Sequence, residues 1–536
     1  MSRGRRKLGL FEDVLASGFL SGLGAVANLL SVFLFARALN PTDFGLLSTC
    51  RRVVAFLAPL AGLSGHLAVS RYLGYWTSDA RRRSAVFVVG SMLLVATVPV
   101  TAGIFFLLRS AGSSVAWLAA VDSTVWNATA VFTCATGVGL LTFSILRGLG
   151  HPHAANLHQL LYLTALLGIA AIASGRRVDQ LLYAASAAGL VVSIAHILWV
   201  VRLHRREWRL PDLATLRASG VEVVRYGLPR LADGPSQASL PLIGVLLAPG
   251  IGGLALAGQL HIGQTVVRML EVMIVPLSVI FLPLVARQVR EGKRVALERQ
   301  AQLVFDAVLL LSLYLCIQSL AWAGPLLRAA FGDKYAGAEP LLIATLPAIV
   351  PHLLYAGFRS FIDGYSERPV NFLNLLVANG VVIGVSIPLA AQLEGVGLAL
   401  GYVAGVCVLG LLTVRFAHSH LNVHVVTRVS GFSLAAAPGL GLLSWVMARV
   451  VESRGPMTIL VAFVIAQGVT ALLLLGLAMR WQHPAITYAL ARLRRGGSAG
   501  LQEINTGREP VRAETSVEAA QGDLAARAYS HSGVDR

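Results

Sequence analysis

Fourteen long apolar runs constrain what this chain can fold into. Each run has the length that an α-helix needs to cross the hydrocarbon core of a bilayer, about 20 residues. The runs cover residues 14–38, 44–74, 84–108, 120–146, 154–174, 180–203, 219–247, 253–285, 302–326, 338–362, 370–391, 396–416, 429–450 and 457–480. Because lipid offers the backbone no hydrogen-bond partner, such segments are stable there as helices. The pattern therefore predicts an all-α polytopic membrane protein with about 14 transmembrane helices.

The composition supports this class. Of 536 residues, 56% are hydrophobic and 13% are charged, whereas a soluble domain carries about 25% charged residues. The net charge of +18 does not indicate nucleic acid, because the arginines lie in short loops between apolar runs. The four cysteines all fall inside apolar runs, where we expect small core side chains and neither disulfides nor metal ligands.

Basic side chains are concentrated in alternate loops. On one face these are Arg81, Arg82 and Arg83, then Arg202, Arg205, Arg206, Arg209 and Arg217, then Arg287, Arg290, Lys293, Arg294 and Arg299. The positive-inside rule places such loops in the cytoplasm. Since the number of spans is even, both termini are predicted to be cytoplasmic.

The chain also repeats itself. Leu-Asn-Pro at 39–41, followed by Gly45, recurs as Leu-Ala-Pro at 247–249, followed by Gly253. A second match relates residues 147–160 to residues 363–375, in the same order. Because an even number of helices separates the copies, they keep one orientation and are related by an axis along the membrane normal. We therefore expect two pseudo-symmetric six-helix lobes and two additional C-terminal helices.

This repeat divides the chain into segments. They are a basic N-terminus (1–13), a first lobe (14–203), a cytoplasmic linker (204–218), a second lobe (219–416), two additional helices (429–480), a basic interfacial helix (481–495) and a cytoplasmic tail (496–536). The interfacial helix is predicted from apolar residues interleaved with arginines. The tail has few large apolar side chains, which predicts disorder.

The seventh and eighth runs contain residues that a lipid-facing helix does not tolerate. Residues 227–241 hold two glycines and three prolines, with Arg230 and Asp233 among them. The eighth run carries Arg268 and Glu271. Broken helices and ionised side chains occur in a bilayer only where they face protein or a water-filled cavity. These two runs are therefore predicted to line a polar pathway.

Two further segments carry a family pattern. Residues 326–369 contain Phe331-Gly332, Tyr335, Ala338 and Leu341-Leu342, and residues 44–74 form an apolar run with a pair of arginines. These segments resemble the tenth and second helices of the polysaccharide-biosynthesis flippases, and residues 279–287 resemble the end of their eighth helix. That family belongs to the multidrug/oligosaccharidyl-lipid/polysaccharide exporter superfamily. The resemblance spans residues 14–480 and implies two lobes around a V-shaped cavity.

The resemblance implies an anionic cargo, a polyprenyl-diphosphate-linked oligosaccharide. Guanidinium groups suit that headgroup, because arginine binds phosphate bidentately and stays protonated. In the similar lipid II flippases, cavity arginines on helices one, two and eight bind the headgroup, which implies Arg37, Arg52 and Arg268 here. Arg51 and Arg230 are further candidates.

Other interpretations of these arginines stay open. Arg37 could snorkel to the interface. Arg51 and Arg52 differ by about 100° around a helix, so at most one points squarely into a cavity. Arg268 and Glu271, three residues apart, could neutralise each other as a structural pair.

Three carboxyl groups could couple transport to a proton or sodium gradient, namely Asp233, Glu271 and Asp306. Asp233 and Asp306 could instead cap helix ends. We expect no cofactor, and we expect no metal because the histidines lack a closed ligand spacing.

The expected function is that of a multi-pass flippase of the bacterial cytoplasmic membrane, working by alternating access. Its partners would be the lipid-linked oligosaccharide and membrane lipids, with no nucleic acid. Alternatives are a lipid II flippase or a multidrug/cation antiporter of the same superfamily. A membrane polysaccharide polymerase or ligase is less favoured, because the outer loop near residues 327–339 has no nucleophile-and-base set. The chain is therefore not expected to be an enzyme.

Overall fold

Helices make up the described part of the chain, as the sequence predicts. A computed structural model describes residues 5–62, 65–76, 79–110, 121–205, 208–274, 281, 284–285, 287–366, 368–481, 483 and 486. The α-helices are α1 Arg5–Ala38, α2 Pro41–Ala61, α3 Gly65–Tyr75, α4 Ala80–Ser110, α5 Ser123–Gly148, α6 Pro152–Ala171, α7 Val178–His204, α8 Leu213–Gly227, α9 Asp233–Leu247, α10 Pro249–Leu270, α11 Arg294–Phe331, α12 Glu339–Thr345, α13 Ile349–Tyr365, α14 Val370–Leu421, α15 Arg428–Val451 and α16 Pro456–Arg480. The interfacial helix predicted at 481–495 and the tail at 496–536 lie outside the described residues, apart from 481, 483 and 486.

Ten helical segments in the described ranges are long and apolar enough to cross a membrane. The other predicted spans are interrupted or fused. The second is divided into α2 and α3, and the seventh into α8 and α9. The eleventh and twelfth run together in α14, which turns at Glu394, where φ is +49°. With these divisions the described ranges are consistent with about fourteen candidate crossings, and the all-α polytopic class is confirmed.

The second span differs in detail from the continuous run predicted at 44–74. Helix α2 ends at Ala61, and the backbone N–H of Gly62 caps it by bonding to the carbonyl of Ala58. The reason is local, because Pro59 within the last turn and Gly62 after it both disfavour continuation.

The first turn of α2 shows how the Leu-Asn-Pro motif begins a helix. The Asn40 side chain accepts a hydrogen bond of 2.8 Å from the backbone N–H of Asp43. Pro41 occupies the first helical turn, where its missing N–H has no cost. An outer turn is thus encoded by three residues. Below, the end of the bundle that carries Asn40 and Pro249 is called the outer end, following the predicted topology, and the opposite end is called the inner end.

Contacts between loops agree with that topology. At the outer end, Arg328 at the end of α11 lies 3.0 Å from Glu452, after α15. At the inner end, the Gln302 side chain near the start of α11 donates a 3.2 Å bond to the carbonyl of His424, in the loop before α15. These contacts join loops that the charge pattern assigns to one face.

The break in the seventh span separates two packing partners. Val223 of α8 is buried in a cluster with Val69, Val89 and Val200, which belong to the first lobe. After the 3-10 turn Leu228–Arg230, α9 packs on α2, α10 and α14. The inner half of the seventh span therefore packs on the predicted first lobe. The division into lobes at 14–203 and 219–416 stays a prediction.

Helices α2 and α10 approach closely at the outer end. A Cβ on Gly45 would lie 1.7 Å from the carbonyl oxygen of Leu254, so only glycine fits there. A Cβ on Gly258 would likewise lie 3.0 Å from the backbone of Gly45. The two copies of the repeat motif therefore pack against each other, which joins the predicted lobes at this end.

Candidate functional site

Arg37 joins the two predicted lobes at the outer end. Its guanidinium donates hydrogen bonds of 2.7 Å to the carbonyl of Ala330 and 2.5 Å to that of Ala329, at the end of α11. In return, Nζ of Lys334 donates to the carbonyls of Arg37 and Leu39, at 2.8 and 2.7 Å. The structure thus places Arg37 in a contact that closes the outer end. Its predicted role as a headgroup ligand stays a prediction.

The family motif after α11 completes this closed end. Gly332 has a φ of +79°, which ends α11 with a residue that tolerates the left-handed region. Tyr335 is then fully buried and packs edge-on against Phe331 and Phe44, with ring centroids 5.9 and 5.7 Å apart. Phe44 begins the family segment of the second span, so the two resembling segments meet at the outer end.

Of the adjacent arginines in α2, Arg52 is the one that reaches the eighth span. Its Nε donates a 3.2 Å hydrogen bond to Nδ1 of His261 in α10, and its side chain is buried. Arg51 instead donates a 3.0 Å bond to the amide oxygen of Asn28 in α1. The two guanidiniums therefore point to different helices, as their angular separation predicts.

Arg268 lies close to Arg52 and has no dedicated partner. The two guanidiniums interact electrostatically with each other and with the buried Tyr402. Among the residues that the structure describes, Arg268 makes no hydrogen bond and no ion pair. None of its side-chain nitrogens is fully buried within the described part of the chain. Two positive groups thus converge between α2 and α10, one of them with free donors.

The acid near Arg268 is engaged elsewhere. Oε2 of Glu271 lies 3.1 Å from Nε2 of His352, in α13. Glu271 feels the charges of Arg268 and Arg359, but no direct bond joins it to either within the described ranges. The alternative of a local pair between Arg268 and Glu271 is therefore not the arrangement found, because His352 is the closer partner.

A polar stripe on α13 runs from His352 toward the inner end. His352, Tyr355, Arg359 and Asp363 are spaced by three, four and four residues, which places them on one helix face. Nη1 of Arg359 donates a 3.0 Å bond to the side-chain oxygen of Gln237 in α9. Sequence analysis missed this stripe, although its helical spacing inside the apolar run 338–362 could have revealed it.

Arg230 lies toward the inner end, near the last residue of the α13 stripe. Its guanidinium lies 4.0 Å from the ring centroid of Tyr226, and Arg71 lies 4.5 Å from that ring. Arg230 also interacts electrostatically with Asp233 and Asp363. The structure therefore brings Arg230 and Asp233 together near the end of the α13 stripe.

Asp306 is separate from these charges. It is buried in α11 and accepts a 3.1 Å hydrogen bond from Gln302, four residues earlier. Within the described part of the chain, no three His, Cys, Asp or Glu side chains are grouped to hold a metal ion. The charged side chains near the predicted polar pathway thus come from α2, α9, α10 and α13 and from the 3-10 turns Leu228–Arg230 and Glu271–Met273.

The fold is shared with solved membrane transporters. An inward-facing multidrug resistance transporter of the MATE family, in the MOP superfamily, aligns with a TM-score of 0.60 and 14% identity, over 74% of this chain and 94% of that chain. The lipid II flippase MurJ, in an inward closed conformation, aligns with a TM-score of 0.60 and 10% identity, over 86% and 97%. A MOP superfamily transporter from Pyrococcus furiosus aligns with a TM-score of 0.50 and 15% identity, over 76% and 95%.

No protein-family profile and no curated protein sequence matches the chain. The structural likeness nevertheless covers nearly the whole length of each of these transporters. It agrees with the resemblance found in residues 44–74 and 326–369. The chain therefore has the fold of the transporters of the MOP superfamily.

Proposed function

We propose that this chain is a flippase that moves a polyprenyl-diphosphate-linked oligosaccharide across the bacterial cytoplasmic membrane for surface polysaccharide assembly. The observation that carries the proposal is Arg268, which has no hydrogen bond or ion pair among the described residues. A charge inside a membrane span costs several kcal/mol unless water, protein or a ligand compensates it. A diphosphate would supply bidentate partners for this guanidinium.

The balance of free charge favours an anion over a cation. Arg52 and Arg268 lie together, whereas Glu271 is already bonded to His352. A carrier for cationic drugs would need an acid that is free to bind them. Asp233 has no hydrogen bond or ion pair within the described ranges, but it lies among the charges of Arg359 and Arg230. For this reason the multidrug antiporter is the weaker alternative, although a MATE transporter shares the fold.

The proposed mechanism is alternating access. The headgroup would enter between the lobes from the cytoplasm while the lipid tail stays in the bilayer, and rocking of the lobes would open the outer end. No covalent bond changes, so no catalytic residue is required. Glu271 and Asp233 lie along the pathway and are candidates for coupling to a proton or sodium gradient. Asp306 is a third candidate, at a distance from the arginines.

The test is transport by purified protein in proteoliposomes. The probe is a fluorescent farnesyl-diphosphate-linked N-acetylglucosamine, whose movement between leaflets is followed by quenching with an impermeant reductant. We expect Arg268→Ala to lose about tenfold or more of the rate, because one charge-assisted interaction is worth at least 1.4 kcal/mol, roughly a factor of ten. Arg268→Lys should retain part of it, since lysine keeps the charge but not the bidentate fork.

The control is Arg449→Ala, which removes an exposed arginine that pairs with Glu452 at 2.7 Å on the additional helix α15. It should transport at the wild-type rate. Wild-type transport by Arg268→Ala would contradict the proposal. The cargo is identified by adding unlabelled probe, lipid II or a cationic dye as a competitor of probe transport. A dye that inhibits transport better than both lipids would favour the antiporter.

A further inference from the structure

We propose that Arg359 and Tyr355 form a second, inner binding site for the diphosphate headgroup, which the headgroup occupies before it reaches Arg268. This inference rests on the proposed function and adds an entry step to it. Both residues lie on the polar stripe of α13, one helical turn apart. Neither was singled out by the sequence.

Arg359 has donors to spare. A guanidinium has five N–H donors, and within the described ranges Arg359 makes one side-chain hydrogen bond, to Gln237 at 3.0 Å. Its Nε lies 4.0 Å from Asp363, which is too long for a hydrogen bond. The reason is that Asn371 holds that carboxylate, donating to its other oxygen at 2.7 Å. Arg359 feels the charges of Asp363, Glu271 and Asp233, but within the described ranges it donates no hydrogen bond to any of them. Its remaining N–H groups can therefore donate to a phosphate.

The exposure of Arg359 shows where it is accessible. In the most apolar 18-residue stretch of the span Asp333–Tyr365, 72% of the residues are buried, whereas in the corresponding stretch of α4 only 17% are. Protein therefore surrounds the tenth span, yet the Arg359 side chain is 42% exposed and that of Asp363 is 48% exposed. An ionised group on a buried span is stable when it faces a watery space. Arg359 thus marks an opening at the inner end of the pathway.

Tyr355 connects this opening to Arg268. It is fully buried, and its hydroxyl has no hydrogen-bond partner among the described residues. It interacts electrostatically with both Arg359 and Arg268. Four residues along a helix correspond to about 6 Å, so the hydroxyl lies one step further from the inner end than Arg359. A buried hydroxyl without a partner is costly, and a passing phosphate oxygen would satisfy it.

A simpler role for Arg359 would be a topology signal at the cytoplasmic end of a span. Arg294 provides the comparison, because it also lies at the inner end and also has an acid four residues later. Its partner Glu298 is 2.9 Å away, at hydrogen-bond distance. Arg294 thus has a carboxylate at hydrogen-bond distance, whereas Arg359 has none within the described ranges. Arg294→Gln is therefore the matched control.

The experiment measures binding of farnesyl diphosphate to the full-length protein in zwitterionic nanodiscs by titration calorimetry. Arg359→Gln should weaken binding about tenfold, and Arg359→Lys should recover most of the loss. Tyr355→Phe removes only the hydroxyl, and should weaken binding about threefold without lowering thermal stability. Arg294→Gln should bind as the wild type does.

Transport kinetics separate the entry site from the Arg268 site. An entry residue sets the probe concentration for half-maximal rate, so Arg359→Gln should raise this concentration about tenfold and leave the saturating rate within about twofold. Arg268→Ala should instead lower the saturating rate. A residue that only shaped the fold would not be rescued by lysine.

Each outcome decides a separate claim. A wild type that does not bind farnesyl diphosphate overturns the proposed function, and the entry site with it. A wild type that binds, together with an Arg359→Gln variant of equal affinity, overturns the entry site alone. An equal loss in Arg294→Gln also overturns it, because the effect would then follow overall charge.

Discussion

In the proposed mechanism, Glu271 limits how strongly the nearby arginines attract an anion. Its carboxylate lies 3.1 Å from His352 and feels the positive charges of Arg268 and Arg359. A negative charge at this place repels a diphosphate that approaches the same arginines. The pair of Glu271 and His352 therefore stands between the two proposed binding positions, where it can keep the headgroup from binding too tightly to leave.

The substitution Glu271→Gln should tighten binding of farnesyl diphosphate. Removing one like charge several ångströms away is worth about 1 kcal/mol in a partly hydrated site, or roughly fivefold in affinity. The measurement is the dissociation constant in nanodiscs.

The control for this prediction is Asp306→Asn. Asp306 is also a membrane-embedded acid, but it bonds to Gln302, and within the described ranges no pathway charge is among its electrostatic neighbours. The Asp306→Asn variant should bind farnesyl diphosphate with the same affinity as the wild type. Weaker binding by Glu271→Gln would mean that Glu271 supports the headgroup through His352 and does not oppose it.

At the scale of elements, the contact of α2 with α10 is the most demanding in the fold. Gly45 faces the backbone of Leu254, with no space for a methyl group. The substitution Gly45→Ala should force the two helices apart. We expect a loss of about 1–3 kcal/mol or more in the free energy of unfolding, observed as a lower thermal transition in detergent.

The matched control is Gly168→Ala in α6, where a Cβ would meet no atom within 4 Å. Alanine there should be neutral or stabilise the helix by about 0.5–1 kcal/mol. If Gly45→Ala were as stable as Gly168→Ala, the helices would not be in the tight contact described here.

The elements could be predicted from sequence to the extent that their patterns are local. Apolar length predicts the spans, and the glycines and prolines at 227–241 predict the break that is found at Leu228–Arg230. The same rules did not predict which lobe α8 joins, because that depends on the burial of Val223 against residues distant in sequence.

The candidate site residues came from patterns of the same local kind. Arg268 and Glu271 are unusual in an apolar run, and the family resemblance implied Arg52 and Arg268. That Glu271 bonds to His352, and that Arg37 bonds to the end of α11, depends on contacts across 81 and about 293 positions, which no local pattern encodes. Arg359 was overlooked because it lies close to a helix end, where arginines are common.

At the scale of the whole molecule, the two ends of the bundle differ. The outer end is joined by Arg37, by Lys334 and by the aromatic contact of Phe44 with Tyr335. The inner end leaves the side chains of Arg359 and Asp363 exposed. In the proposed mechanism, this asymmetry suits a carrier that receives its cargo from the cytoplasm before the outer end opens.

The central claim of the proposed mechanism is that an anion held by Arg268 between the lobes changes how the lobes are arranged. The most direct measurement is the distance between spin labels at Arg176 and Ala336, exposed positions at the outer ends of the two lobes, with and without farnesyl diphosphate. The four native cysteines are first replaced by alanine, since all four are free thiols. We predict that the ligand shifts the distance distribution in the wild-type background and not in Arg268→Ala. An unchanged distribution in the wild-type background, or an equal shift in both, would contradict the claim.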